Sequence, residues 1–222
     1  MRSVLTQGGM TAEAAPLPSL YPDLRDPRVM VAAPRARRAA LAGLWALAER
    51  LTRLLRDARE PMIGQIKLAW WRDMMALLAS DPAALPKGEP LLAELQANWA
   101  GEGGLAALVD AAEAALLADS DPARRDAARA FGAVLFSLSG GAEAAGCRWG
   151  LVWSAALQEE ESAARDLLAA ARAEPAQPRA AFSGTRALLM LDRWAGAIAA
   201  RAGERHWRRE GLLLLRIGLM GR

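Results

Sequence analysis

Two apolar stripes follow each other in the segment 35–78, and they constrain the fold more than any other feature of the sequence. Each stripe repeats at three- and four-residue steps, the period of one face of an α-helix. Pro61 fits the first turn of the second helix, and Asp81-Pro82 ends it. The first stripe is Leu41, Leu44, Trp45, Ala48, Leu51 and Leu55, and the second is Met62, Ile63, Ile66, Trp70, Met74 and Leu77. We therefore predict a pair of helices against which the rest of the chain packs.

The composition extends this prediction to the whole chain. The 222 residues are 53% hydrophobic and 24% charged, which provides a sizeable core and argues against disorder. Alanine, leucine and arginine dominate, and all three favour helix. No alternating run of Val, Ile and Thr has the length of a strand. The predicted fold class is all-α, as a single-domain helical bundle.

The breaks between the remaining predicted helices are short, as expected for one bundle. These helices are predicted at 89–100, 105–118, 121–137, 142–173, from 179 or 185 to 202, and 204–219. Glycine disfavours a helix interior, so glycines inside these segments predict close helix crossings. The glycines in question are Gly132, Gly146, Gly150 and Gly196.

Residues 1–32 are predicted to form a leader arm, followed by the helical domain at 33–222. Adjacent glycines and repeated prolines interrupt any helix in this leader. Its later part contains a few large apolar side chains that we expect to pin it to the core. They are Leu17, Leu20, Tyr21 and Leu24.

Charge and residue counts argue against several classes of function. The net charge is +3, and the basic clusters at 35–38 and 205–209 are short, so we interpret them as solvated faces and expect no nucleic-acid partner. One cysteine, Cys147, allows no internal disulfide and fits a reducing compartment, and the lone histidine, His206, is expected on the surface. There is no phosphate-binding loop, dinucleotide fingerprint or zinc motif, and no uninterrupted apolar run of membrane-spanning length. A cytoplasmic protein is predicted, with contact to a membrane surface left open.

Four stretches of the sequence resemble one known family. They are APRARR at 33–38, LWAL at 44–47, REPMIGQIKLAWWRD at 59–73 and LVDAAEAAL at 108–116. Together they resemble the squalene/phytoene synthase family, most closely its short branch with an EPM-G-I-L-WWRD helix. That branch includes bacterial proteins and the mitochondrial assembly factor for respiratory complex I. The resemblance is strongest over 33–80 and weakest after 117.

The resemblance implies a shortened bundle of the isoprenoid (squalene/phytoene) synthase type and the place of a metal site. Active members ionise a prenyl diphosphate with Mg²⁺ held by carboxylates that share a helix face. By this resemblance the first acidic motif falls on Thr52, Arg53 and Arg56, none of which is a carboxylate. Two cations there would repel Mg²⁺. Arg53 and Arg56 could instead hold a diphosphate or lipid phosphate without metal.

The resemblance places the second acidic motif in the segment 142–173. The candidates there are Glu159, Glu160, Glu161 and Asp166. Consecutive residues on a helix point about 100° apart, so this run suits a solvated face better than a metal clamp. Asp110 and Glu113 are interpreted either as a remnant of the metal site or as an exposed pair. We therefore expect no cofactor and no metal site, with Mg²⁺ required only if the chain is an active enzyme.

The residues that carry the family signature allow a structural and a functional interpretation. They are Glu60, Pro61, Gly64, Trp70, Trp71, Arg72 and Asp73. Trp70 lies on the apolar stripe and is predicted in the core, whereas Trp71 points to another side with Lys67 across its ring. Arg72 and Asp73 are predicted to form an interhelical salt-bridge pair. The functional alternative is a surface that binds a prenyl chain or a partner.

Three functions follow from these patterns. The favoured one is a catalytically degenerate family member that acts as a binding or assembly protein, including respiratory-complex assembly, with a protein or an isoprenoid or lipid as its partner. The second is an active head-to-head prenyl transferase, which requires the run 159–161 to converge with Asp110 and Glu113. The third is a peripheral membrane protein, because Arg205, Trp207, Arg208 and Arg209 precede an apolar run at 212–217. The alternative for that run is a closing core helix.

Overall fold

Ten α-helices make up the architecture of residues 20–58 and 60–220, the part of the chain that this computed structural model describes. They are α1 (Pro27–Met30), α2 (Arg38–Asp57), α3 (Pro61–Ser80), α4 (Pro90–Trp99), α5 (Leu105–Leu117), α6 (Asp121–Leu138), α7 (Cys147–Ala155), α8 (Glu161–Ala173), α9 (Arg186–Ala199) and α10 (Trp207–Met220). Short 3₁₀ turns lie at Arg35–Arg37, Pro82–Ala84, Glu143–Ala145 and Arg179–Phe182. The all-α prediction is confirmed.

The short helix α7 forms the centre of the bundle. Eight of its nine residues are buried, and it packs against α6, α8 and α9. The pair α2 and α3 packs with α4 and α5 on one side of the bundle. The last helix, α10, lies at the edge, where it contacts α9 and α1. The predicted stripe of α2 is confirmed, since all of its members except the half-buried Leu55 are buried.

Glycines set the closest helix crossing, between α6 and α7. A Cβ atom on Gly132 would lie 2.2 Å from the carbonyl oxygen of Gly146, and one on Gly150 would lie 2.0 Å from that of Ala128. No other residue type fits such a backbone contact, so the predicted crossing at these three glycines is confirmed. Gly196 differs: its nearest neighbour would be the Arg148 side chain at 3.5 Å, an ordinary contact. The prediction of a close crossing there is wrong.

The long helix predicted at 142–173 is three separate elements. A 3₁₀ turn precedes α7, and a break at residues 156–160 separates α7 from α8. Both helices carry apolar surface, and the break lets α8 fold back and pack against α7. Glu160 takes the N-cap position of α8, and Glu161 lies in its first turn, where a negative charge is favoured.

The described part of the leader, from Leu20 onward, packs against the bundle. Tyr21 and Leu24 are buried as expected, whereas Leu20 is exposed, and Leu17 lies outside the described residues. The Tyr21 hydroxyl donates to the Glu49 carboxylate at 2.7 Å, and burial raises the pKa of this tyrosine. Residues 21–33 therefore contribute to the same core as the helices.

Candidate functional site

The three positions assigned to the first acidic motif lie on the second half of α2 and do not share one environment. Thr52 is buried: its hydroxyl donates to the carbonyl of Ala48 at 2.7 Å and accepts from the Trp153 indole N–H at 3.0 Å. Arg53 is exposed, with its Nε 3.5 Å from the Glu49 carboxylate. Arg56 is exposed at the last turn of the helix. Thr52 is thus a packing residue, and the two arginines point to different surroundings.

Aromatic rings fill the interior behind Thr52. Trp153 stacks on Phe131 with ring centroids 4.0 Å apart, and Trp149 lies beside both rings in a nearly parallel orientation. Trp45 meets Trp149 edge-on at 5.1 Å. All four rings are buried. A prenyl chain could enter this region only by displacing rings that are already close-packed.

A small open pocket lies where α2 ends and α3 begins. Its volume is about 300 Å³, and among the described residues its charged side chains are Arg56 and Arg124. Ser154 and Gln158 add polar groups to its wall. Arg124 also pairs with Asp121 of its own helix. The phosphate hypothesis for Arg53 and Arg56 is therefore corrected in one respect, because the second guanidinium at the pocket comes from α6 and not from Arg53.

Arg72 clamps α3 to α5. It donates to Asp110 and to Glu113, each at 2.5 Å, and these hydrogen bonds raise the pKa of its guanidinium. The predicted interhelical salt bridge is confirmed for Arg72, whose partners lie on α5, and is wrong for Asp73, which is exposed on α3. Asp110 and Glu113 thus have a structural role in this clamp.

The candidates for the second acidic motif lie on the surface. Glu159 and Glu160 are exposed in the break before α8, and Glu161 and Asp166 are exposed on α8. Within residues 20–58 and 60–220 no three His, Cys, Asp or Glu side chains gather in an arrangement that could hold a metal ion. The convergence that the active-enzyme alternative requires is not seen among these carboxylates.

The signature helix α3 buries a different face from the predicted one. Trp70 is 41% exposed and Trp71 is 3% exposed, the reverse of the prediction. Met62, Ile63 and Ile66 are exposed, while Met74 and Leu77 are half-buried. The buried residues are Gly64, Leu68, Trp71, Met75 and Leu78. The predicted core position of Trp70 is therefore wrong.

Close packing explains which face of α3 turns inward. A Cβ atom on Gly64 would lie 2.8 Å from a methyl group of Leu116, so α3 approaches α5 most closely where its side chain is smallest. Glu60 and Pro61 begin the helix as predicted, with Pro61 at the first position and the Glu60 carbonyl accepting from the Gly64 N–H. Both faces of α3 have helical spacing, so periodicity alone cannot distinguish them.

The cation over Trp71 comes from α2 and not from α3. The guanidinium carbon of Arg50 lies 5.7 Å from the ring centroid, and Arg50 also pairs with Glu89 at 3.0 Å. Lys67, which was predicted to cover this ring, is exposed. Trp70 rests edge-on against Trp71 with centroids 5.1 Å apart. The tryptophan pair therefore has one ring in the core and one at the surface.

We name the outward row of α3 the α3 face; it consists of Met62, Ile63, Ile66 and Trp70. All four side chains are more than two-fifths exposed, and Met62 reaches 71%. The charged residues beside them on α3 are Lys67 and Asp73, both exposed and of opposite sign. A row of exposed apolar side chains of this kind is typical of interaction surfaces.

Two carboxylates that are only 1% exposed, Asp192 and Glu210, are not among the sites predicted from the sequence. Asp192 receives hydrogen bonds from Arg148 and Arg193, each at 2.9 Å, yet burial raises its pKa. Glu210 accepts from the Trp194 indole N–H at 2.8 Å and from Arg205 at 2.9 Å. An acid placed on the apolar side of its own helix is the signal that could have identified both.

The basic cluster at 35–38 has a structural role that the solvated-face interpretation did not include. Arg37 donates to the carbonyls of Leu138 and Ser139 at the end of α6. Arg38 donates to the carbonyls of residues 31 and 33. These contacts fasten the segment before α2 to the bundle and satisfy the last carbonyls of α6.

The single histidine and the single cysteine are not arranged for catalysis. His206 is exposed, as predicted, and its Nε2 lies 3.6 Å from the Glu204 carboxylate. Cys147 is half-buried, and burial raises the pKa of its thiol, which disfavours the reactive thiolate.

A scan of protein-family models, a search of curated proteins and a search of solved structures each found no match to this chain. None of the described helices is both long enough and apolar enough to cross a membrane.

Proposed function

We propose that this chain is a catalytically degenerate member of the squalene/phytoene synthase family, built on a shortened isoprenoid-synthase-type bundle, that acts as an assembly-type binding protein. The observation that carries the proposal is the state of the signature helix. Some residues of this helix form a buried face that packs on α5. Others form the α3 face, which no other part of the described chain covers.

The loss of catalysis is supported by what occupies the positions of the acidic motifs. Thr52 is sealed by hydrogen bonds to Trp153 and to its own helix, so it offers no ligand to a cavity. Asp110 and Glu113 are engaged by Arg72. The hydrogen bonds or ion pairs of each of these side chains would have to break before the side chain could contact a substrate.

A protein is the occupant of the α3 face that its chemistry favours. Methionine and aromatic residues are enriched in protein–protein interfaces, and buried tryptophans are frequent hot spots. Lys67 and Asp73 flank the row with balanced charge, which suits an amphipathic helix with an acid opposite Lys67 and a base opposite Asp73. A respiratory-complex protein is the narrower partner that the family resemblance implies.

Catalytic degeneracy is tested by calorimetry and product analysis. The purified chain is titrated with Mg²⁺ and a non-hydrolysable farnesyl diphosphate analogue, and then incubated with farnesyl and geranylgeranyl diphosphates. We expect no release of pyrophosphate. Mg²⁺-dependent binding together with pyrophosphate release would overturn the proposal. Metal-independent binding that is lost in Arg56→Ala and Arg124→Ala would assign the small pocket to a phosphate group, without turnover.

The binding role is tested by a photo-crosslinking residue placed at Ile66 in the native host. We expect one protein to be captured from this position, and capture to disappear when Trp70→Ala is added. The matched control is the same residue at Asp166, which is equally outside the core but on α8. A partner captured equally from both positions, or retained in Trp70→Ala, would contradict a role for the α3 face.

A further inference from the structure

The last helix, α10, also presents an apolar row to solvent. Leu214 and Ile217 are buried on its inner side, while Leu212, Leu215 and Leu219 follow each other at three- and four-residue steps on the outer side. Leu212 is 65% exposed and Leu219 is 73% exposed. The prediction of a closing core helix is therefore correct for one side of α10 and incomplete for the other.

Charge on this surface is of one sign. Arg208, Arg209 and Arg216 are exposed beside the leucine row, and none of them has an ion-pair partner among the described residues. The carboxylate of α10 is Glu210, which turns inward, is 1% exposed and accepts hydrogen bonds from Trp194 and Arg205. The outward surface of α10 thus combines leucines with guanidiniums and contains no acid.

A groove lies on each side of α10, so that the helix stands out between them as a ridge. One groove, of about 510 Å³, is walled by Val31, Leu215 and Leu219 and carries Arg28 and Arg186 at its edge. Arg28 is paired with Asp26, whereas Arg186 donates to the Gly218 carbonyl and has no ion-pair partner within residues 20–58 and 60–220. The second groove, of about 390 Å³, lies on the other side of the helix and contains Leu212 and Leu213 together with three arginines: Arg201, Arg209 and Arg216. Glu210 also lines this groove, but only 1% of it is exposed.

We infer that α10 and the adjoining turn at Val31 form a docking surface for an anionic phospholipid bilayer. We name this surface, consisting of Val31, Leu212, Leu215, Leu219 and the arginines beside them, the α10 face. The leucines enter the acyl boundary of one leaflet, and the arginines on both sides meet phosphate groups. The contact is independent of the α3 face and of the proposed protein partner.

Charge complementarity selects the bilayer over a protein surface. A row of apolar side chains bounded on both sides by cations, with its own carboxylate withdrawn into the core, matches a surface that is apolar inside and uniformly negative at its edge. The start of α10 fits the same surface, because Trp207 is 46% exposed and stacks against the Arg205 guanidinium at 4.0 Å. Tryptophan is enriched at the headgroup level of membranes.

Vesicle co-flotation of the whole chain tests this inference. The probes are vesicles of phosphatidylcholine alone and of equal parts phosphatidylcholine and phosphatidylglycerol. We expect binding to the anionic vesicles at least tenfold tighter than to the neutral ones, and weaker binding as salt is raised. Binding to both vesicle types with equal affinity would overturn the role of the arginines.

Variants separate the apolar part of the surface from its charge. We expect Leu215→Glu with Leu219→Glu to weaken binding at least tenfold, because the inserted side chains become charged. Replacing Arg208, Arg209 and Arg216 by Gln should weaken it on the order of 100-fold at low salt. The matched control is Ile66→Glu, which changes an equally exposed residue of the α3 face and should leave vesicle binding unchanged.

Three further outcomes would overturn the inference. One is the absence of binding to either vesicle type while circular dichroism shows a folded chain. Another is a dimer in sedimentation velocity that dissociates in Leu215→Glu with Leu219→Glu and does not float with vesicles, since the α10 face would then join two copies of the chain. A loss of vesicle binding in Ile66→Glu would move the site to α3 and equally contradict it.

Discussion

The helices α3 and α10 pack against the bundle in the same way but differ in the surface that they expose to solvent. Each buries one apolar face against the bundle and exposes a second apolar row. Beside the row of α3 stand one base and one acid, Lys67 and Asp73. Beside the row of α10 stand three arginines, and its acid, Glu210, is buried.

The difference shows that apolar exposure alone does not identify a partner. Both rows consist of several exposed apolar side chains, and the flanking charges distinguish them. Balanced charge fits a folded protein with its own mixed surface, and uniform positive charge fits an anionic bilayer. We therefore propose that the bundle binds a protein through the α3 face and an anionic membrane through the α10 face.

The largest expected effect separates the two sides of α3. Trp71→Ala removes a buried ring that lies under Arg50 of α2 and should lower the free energy of unfolding by about 3–5 kcal/mol. Trp70→Ala truncates the exposed ring and should cost less than about 1 kcal/mol. Chemical denaturation of both variants measures the difference. Equal losses would mean that the two tryptophans share the core and that the α3 face is misassigned.

Glu210→Gln tests how α10 is held. The change leaves Arg205 without its buried carboxylate and should lower the free energy of unfolding by about 2–4 kcal/mol at neutral pH. Burial alone would raise the pKa of Glu210, but hydrogen bonds from Arg205, Trp194 and the His206 backbone N–H bring it below the usual value.

The pH dependence of stability gives a second readout for the same residue. Because the folded-state pKa of Glu210 is lowered, its contribution is present above the unfolded-state pKa of about 4.5 and is lost as the pH falls through the folded-state value. The free energy of unfolding of the wild type should therefore fall more steeply on acidification than that of Glu210→Gln. Parallel curves for the two proteins would contradict a charged, paired Glu210.

Sequence periodicity predicts the all-α class and the pair α2 and α3, but it does not predict which face of each helix turns inward. The stripe of α2 is confirmed because only one of its faces is apolar. For α3 two apolar rows compete, and the choice depends on where Gly64 meets Leu116 on α5, a contact made far along the chain. The glycines at the crossing of α6 and α7 were found from sequence because a glycine inside a helix needs a local reason.

The parts of the candidate site that sequence missed depend on contacts between distant residues. Arg72 and Asp110 were both singled out, but their pairing across 38 positions has no local signal. The continuous helix predicted at 142–173 failed for a similar reason, since α8 turns back to cover α7 and the break at 156–160 is imposed by that packing. Glu210 lies on the apolar side of α10 with Leu214 and Ile217, which signals burial, but its partner Trp194 on α9 could not be read from α10 alone.

A smaller effect is expected for the clamp between α3 and α5. Arg72 and Glu113 meet at 2.5 Å but remain partly solvent-exposed, so a double-mutant cycle with Arg72→Met and Glu113→Gln should give a coupling of about 0.5–1 kcal/mol. Raising the salt concentration should reduce this coupling. A coupling near zero would show that the orientation of the α3 face does not depend on the clamp.

The smallest effect on the free energy of unfolding is expected for substitutions in the two exposed apolar rows, although these substitutions should have the largest effect on binding. Ile66→Glu and Leu215→Glu both replace exposed side chains, and each should change the free energy of unfolding by no more than about 0.5 kcal/mol. Thermal unfolding of the two variants checks this. A large loss in either variant would show that its row is covered by the chain itself and is not a free surface.

Two methionines provide the most direct test of the difference between the faces. Met62 on the α3 face is 71% exposed, and Met220 at the end of α10 is 68% exposed, so peroxide should oxidise both at similar rates in the free protein. We expect anionic vesicles of saturated lipid to slow oxidation of Met220 several-fold and to leave Met62 unchanged, as read by mass spectrometry of the two peptides. Equal protection of both methionines, or protection of Met62 alone, would contradict the assignment of the membrane to α10.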